Sequence, residues 1–219
     1  MASFSADVDK LDKRLAETVT ADDTVFTGRL LKVLRLTVTL PNGKTSTREM
    51  IRHPGAAAIV VLDDENRVVL ERQWRPPAGG AFWEIPAGKI DPGEKHAVTA
   101  RRELKEEAGL TARDWVFLGT IRNAIGYSDE HIEIYLARGL TQGEQRLDAN
   151  EFLTLTRVPF EEALAACRDG TISDVKTIIG LHPRAPDAGP QPLKSPLRAR
   201  FFSCPHTLSR RTLSLRMMG

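Results

Sequence analysis

The chain has 219 residues, of which 41% are apolar and 27% charged, with a formal net charge of +2. That make-up excludes low-complexity and membrane-spanning classes, since no apolar run approaches the roughly 20 residues that cross a bilayer. The mixed-charge start MASFSADVDKLDKRLAE is no secretory signal, and Cys167 and Cys204 stand far apart without neighbouring ligand spacing, so neither a disulfide framework nor a zinc site is expected and the cytoplasm is the expected location. The charge is uneven. Residues 183–219 carry seven Lys and Arg against Asp187 alone, a surplus of +6 that leaves the first 182 residues at −4. A mildly acidic body gives no reason to expect nucleic-acid binding.

In chain order, residues 1–23 read as a frayed start. Thr24 to His53 reads as two or three strands, with Pro41-Asn42-Gly43 as a turn between Leu30–Leu40 and Thr45–Arg52. Ala56–Leu62 is a continuous apolar run, as buried strands are. Asp63-Asp64-Glu65-Asn66 turns the chain, and Val68–Trp74 and Phe82–Ile85 read as strands. Asp91-Pro92-Gly93 leads into a helix from His96 to Ala108, for which Gly109 is a natural stop. Trp115–Ile121 and Ile132–Leu136 read as strands joined by the polar loop Asn123–Glu130, and Phe152–Arg157 as another strand. Pro159 opens a helix over Phe160–Arg168, and Ile172–Leu181 reads as a second amphipathic helix. Strands and helices mix without strict alternation, which predicts an α+β mixed sheet with helices packed on it.

The helix 96–108 carries the chemistry. Glu103, Glu106 and Glu107 share one face, while Ala100, Leu104 and Ala108 form a separate apolar row that can pack on a sheet. Three like charges on one face repel, and the arrangement is rewarded when cations sit between them. Mg²⁺ or Mn²⁺ suits such carboxylates and can clamp a diphosphate while activating a water. A solvated acidic helix is the plain alternative for an isolated E-L-K-E-E. Against it stand Gly88, Glu94, Arg102 and Gly109, all in register in the spacing G-x5-E-x7-R-E-U-x-E-E-x-G-U, where U is Leu104 or Leu110.

This spacing is the Nudix box, and the chain resembles the Nudix hydrolase family. His53-Pro54-Gly55-Ala56, Leu70-Glu71-Arg72-Gln73-Trp74-Arg75, Trp83-Glu84-Ile85-Pro86-Ala87-Gly88 and Gly126-Tyr127-Ser128-Asp129-Glu130 are similar to its ADP-ribose pyrophosphatase branch. The resemblance implies a Nudix fold: a mixed sheet between helices (an α/β/α sandwich), with an N-terminal strand subdomain over 1–53 for dimerisation and the hydrolase domain over 54–182. It implies Mg²⁺-dependent hydrolysis of ADP-ribose to AMP and ribose 5-phosphate, or of another ADP-sugar, FAD or a dinucleotide, by a homodimer. It places metal ions on Glu103, Glu106, Glu107 and the Ala87 carbonyl, and substrate on Arg75 and Glu84. Gly88, Glu94, Arg102 and Gly109 become framework residues of the box. Water activation falls to Glu151, with Glu106 and Glu130 as competitors. Trp74 and Trp83 read as core rather than as stacking platforms.

Ile125 stands where this branch commonly carries a proline, which leaves the sugar open. The intact box speaks against a sensor that binds without turnover. The Pro-rich basic segment 183–219 lacks periodicity and reads as a disordered tail or the product of a shifted reading frame near Leu181.

Overall fold

The computed structural model describes residues 8–182, so the expectations for 183–219 lie outside the described residues. The strand most buried is the one the apolar run announced. β4 (Ala56–Val61) is buried along its whole length because both of its faces are covered. Ala56, Ala58 and Val60 point into one apolar cluster, and Ala57, Ile59 and Val61 into a second on the opposite face. Strand alternation therefore divides one short segment between two cores.

Around β4 runs a four-stranded mixed sheet in the order β7-β4-β9-β8, with β7 Ala87–Lys89, β8 Leu110–Ile121 and β9 Ile132–Gln142. β4 is parallel to β9 and antiparallel to β7. A second, antiparallel sheet has the order β10-β5-β6, formed by Leu153–Pro159, Arg67–Arg75 and Gly80–Glu84. The helix α2 (His96–Ala108) places Ala100, Leu104 and Ala108 in one cluster. Ala163 of α3 (Phe160–Asp169), Ile172 and Leu181 of α4 (Val175–Leu181) close the other. Helices thus cover both faces of the sheets, and the α/β/α arrangement expected from the sequence is present.

The N-terminal region differs from the sequence reading. Instead of a frayed start, α1 (Val8–Leu15) and β1 (Thr18–Thr27) precede β2 (Lys32–Thr39) and β3 (Thr45–Arg52), in an antiparallel sheet of order β1-β2-β3. β1 reaches back six residues before Thr24 because its pairing with β2 extends to Thr18 opposite Thr39, a partner that local composition does not reveal. All ten β1 residues are exposed, including Val19, Val25 and Phe26.

Other boundaries shift for similar reasons. β8 starts at Leu110 and β9 runs to Gln142, since each extends the other's ladder through Thr111, Ala112 and Thr141. The last helix begins at Val175 rather than Ile172, because Asp174 caps it: its carboxylate accepts from the Thr177 backbone N–H at 3.0 Å. The short strand β7 escaped the sequence reading altogether. Among the described residues no helix is long and apolar enough to cross a membrane.

Candidate active site

α2 is anchored at both ends. Near its start, Glu94 accepts from Thr99 Oγ1 at 2.7 Å and from Arg102 Nη2 at 2.9 Å. These bonds, led by the one from Arg102, hold the Glu94 carboxyl down at about 2. At its end, the loop after β9 supplies donors to the last carbonyls, which an α-helix leaves unpaired. The Arg146 N–H donates to Glu106 O at 2.9 Å and Gln145 Nε2 to Glu107 O at 2.5 Å. Gly109, at φ 63°, permits this approach, because a Cβ there would stand 2.7 Å from Gln145 N.

Gly88 answers to the chemistry more directly. A Cβ at that position would fall 1.8 Å from Glu103 Oε1, so the glycine makes the space in which the Glu103 carboxylate lies. Next to it the Ala87 N–H donates to Glu107 Oε2 at 3.0 Å. Arg102 Nη1 donates to Glu103 Oε1 at 2.8 Å and to Glu106 Oε2 at 3.0 Å. A single guanidinium therefore ties Glu94 to two of the three clustered carboxylates.

The third carboxylate, Glu107, is almost fully buried and faces a residue to which the sequence reading gave no role. Glu71 sits on β5 one alternation after Val69, on the face turned toward α2, and is 2% exposed. Burial, and then the proximity of Glu71, Glu103 and Glu151, raises the Glu107 carboxyl far above the usual carboxylate range. Burial raises Glu71 as well. Glu103 is pushed up to about 7, again chiefly by burial. Glu71 Oε1 is a buried oxygen with no hydrogen-bond partner among the described residues. The signal in the sequence was a lone carboxylate ending the run Val68-Val69-Leu70, where a buried strand has no reason to carry one.

An open cleft of about 880 Å³ collects these groups. Arg75, Glu84, Ala87, Gly88, Arg102, Glu103, Glu106, Glu107 and Glu151 all line it, although they come from five separate segments. Glu94 and Gly109 stand behind the wall as described above. Glu151 reaches the cluster from the loop before β10, its backbone N–H bonded to Asp148 O at 2.9 Å. Glu106 is held by Arg102, and Glu130 accepts from Asn123 Nδ2 at 2.9 Å.

Arg75 and Glu84 differ from their sequence reading as separate ligand contacts. They pair with each other, Nε to Oε1 at 2.6 Å and Nη2 to Oε2 at 2.7 Å. Lys176 at the start of α4 also donates to Glu84 and lies 3.1 Å from Asp174. Glu84 is thus engaged on both oxygens, and it has no bond to the box loop. Its charge is retained by Arg75 and Lys176 against the effect of burial. Lys176 was missed because its neighbours read as an apolar helix face. Trp74 is 60% exposed rather than core, and Trp83 packs partly buried under the Arg72 guanidinium, so neither borders the cleft.

The donor set fits a hard divalent cation. Buried carboxylates that repel one another, one with an orphaned oxygen, are stabilised by positive charge, and oxygen-only ligands select Mg²⁺-like ions. Among the described residues no three acidic, imidazole or thiol groups already converge as a finished cage. Arg102 holds two of the carboxylates instead.

A fold of helices on both faces of a mixed sheet, with a Gly-spaced carboxylate helix at its cleft, defines the class of protein. The model of the NUDIX domain matches residues 52–178. The chain is 36% identical over 167 residues to an ADP-ribose pyrophosphatase of Bacillus subtilis, covering 75% of this chain and 90% of that relative. It is 39% identical over 173 residues to a methanol dehydrogenase activator of Bacillus methanolicus, covering 78% and 94%. A crystal structure of an ADP compounds hydrolase superposes with a TM-score of 0.67 at 26% identity, covering 76% of this chain and 90% of that one. The chain belongs to the Nudix family.

Proposed function

We propose that this protein hydrolyses the diphosphate bond of ADP-ribose, giving AMP and ribose 5-phosphate, with Mg²⁺ as its cation. One observation carries the reading: Glu103 and Glu107 of α2 and Glu151 of the loop before β10 line one cleft large enough for a nucleotide, with the buried Glu71 of β5 set against Glu107 behind them. The names of the relatives in Bacillus subtilis and Mycobacterium tuberculosis, both ADP-ribose pyrophosphatases, support the substrate.

Glu103, Glu107 and the Ala87 carbonyl would hold the cation, with Glu106 at its margin. Bound there, it neutralises phosphate charge and polarises the oxygens of the scissile bond. The chain's own groups do the rest. Gly88 leaves room for the Glu103 carboxylate, and the Ala87 N–H fixes the rotamer of Glu107. Glu151 orients the attacking water and takes its proton, since Glu106 and Glu130 are already held by Arg102 and Asn123. Arg75, steadied by Glu84, turns its remaining donors to phosphate oxygens.

Two copies are proposed to associate through residues 1–53, with 54–182 forming the hydrolase domain, in the cytoplasm. The fully exposed β1, carrying Val19, Val25 and Phe26, supports the association.

Product analysis with Mg²⁺ against ADP-ribose, ADP-glucose, NADH, FAD and diadenosine polyphosphates tests the function. AMP is expected fastest from ADP-ribose. Faster release from another of these would move the assignment to that substrate, and binding without turnover would point to a sensor.

A further inference from the structure

Two imidazoles meet away from the cleft. His96 is the first residue of α2 and His131 the last before β9, and their Nε2 atoms lie 3.1 Å apart. Each ring has an oxygen on its other side. His96 Nδ1 is 3.6 Å from Glu133 Oε1, and His131 Nδ1 is 3.4 Å from Asp129 O. Those oxygens can only accept, which leaves the two facing Nε2 atoms either to share one proton in a hydrogen bond or to hold a cation between them. Without a proton between them, two Nε2 lone pairs at this distance would repel, and a cation relieves that repulsion. Glu133, itself bonded by the Tyr135 hydroxyl, supplies negative charge that offsets the positive end of α2.

We propose that His96 and His131 form a second metal site, for a borderline transition ion such as Zn²⁺ or Ni²⁺, separate from the carboxylate cleft. Two nitrogens each about 2.0–2.1 Å from one ion stand about 2.9–3.4 Å apart at ligand angles of about 90–110°, a range that includes the observed separation. The ring planes differ by 47° with centroids 5.2 Å apart, so a modest turn about each χ2 aims both lone pairs at a common point. Close packing on Gly55 steadies His131, because a Cβ there would stand 2.9 Å from Nε2. Glu133 and the Asp129 carbonyl then play the part usual behind ligating imidazoles, fixing the Nδ1–H tautomer. His96 is 26% exposed, which leaves room for water to complete the ligand set. The site lies about 10 Å along the helix axis from Glu103, and neither imidazole lines the cleft. Oxygen ligands favour Mg²⁺ in the cleft, whereas imidazoles favour zinc and nickel here.

The test is a Zn²⁺ titration of the full-length protein in saturating Mg²⁺, following the imidazole nitrogens by long-range ¹H–¹⁵N NMR. The Nε2 signals of His96 and His131 are expected to move together to an equimolar end point, in the parent chain and in Glu107→Gln alike. His131→Gln should abolish the step, and Glu133→Gln, which removes only charge behind the ligand, should weaken it about 10–100-fold. Unmoved Nε2 signals would overturn the proposal and leave the rings sharing only a proton. Equal Zn²⁺ affinity in the parent chain and the Glu133→Gln or His131→Gln variant would overturn it as well, as would loss of binding in Glu107→Gln.

Discussion

At the scale of single residues, Glu107 and Gly88 make the sharpest claims. Glutamine at position 107 keeps an acceptor for the Ala87 N–H but loses the charge that a cation requires. Glu107→Gln should therefore retain its melting temperature and lose at least about a hundredfold in turnover. A near-normal rate would remove Glu107 from the metal assignment. Gly88→Ala acts differently, since its methyl group would occupy the place of the Glu103 carboxylate. Displacing that side chain should cost about 1–3 kcal/mol in denaturant unfolding and weaken Mg²⁺ binding together. The carboxylates also set a pH dependence. Glu103, Glu71 and Glu107 have folded-state values above their ordinary 4.5, so folding favours their protonated forms. Their contribution is complete below about 4.5 and is lost as pH rises through about 7 for Glu103 and higher for the other two. Glu94, lowered to about 2, has the opposite sign and is lost only in acid, below that window. In chelator the melting temperature should fall from pH 5 to pH 8, and Mg²⁺ should raise it more at pH 8 than at pH 5. A scanning fluorimetry series in both buffers reads this directly.

At the scale of elements, α4 couples the back of the fold to the cleft. Asp174 caps it, Lys176 in its first turn binds Glu84, and Thr177 Oγ1 accepts the Ile85 N–H at 2.9 Å. Asp174→Ala removes the cap and one of two carboxylates beside Lys176, and should cost about 0.5–2 kcal/mol by chemical denaturation. It should also raise the KM for the nucleotide, because the Arg75–Glu84 pair loses its support. An unchanged KM would confine Asp174 to a structural part. Elements such as α2 were legible in the sequence to the residue, since its glycine stop and apolar row are local signals. α4 was not, because the buried Ile172 continues the apolar pattern ahead of Asp174 without marking where helical hydrogen bonding begins. The first half of β1 and the whole of β7 were not legible because they rest on distant partners, Thr18 on Thr39 and Lys89 on Ala56.

At the scale of the whole molecule, the N-terminal sheet bears on assembly. The loop after β8 pins its last strand to the body, with the Ile51 N–H donating to Tyr127 O at 2.7 Å and the His53 N–H to Asp129 Oδ1 at 2.8 Å. Its first strand remains exposed throughout. Light scattering should therefore report twice the chain mass, and Val25→Asp with Phe26→Asp should halve it. An unchanged mass in that variant would exclude β1 from the interface. The sequence by itself determined the family, the box helix, its three glutamates and the framework residues around them, because these are spaced along a few turns of one helix and its leading loop. Only the tertiary structure could bring Glu71 against Glu107, join Glu84 to both Arg75 and Lys176, and set His96 beside His131. Those pairs are separated by between 9 and 92 residues and owe their contact to strand register and helix docking, which no local spacing encodes.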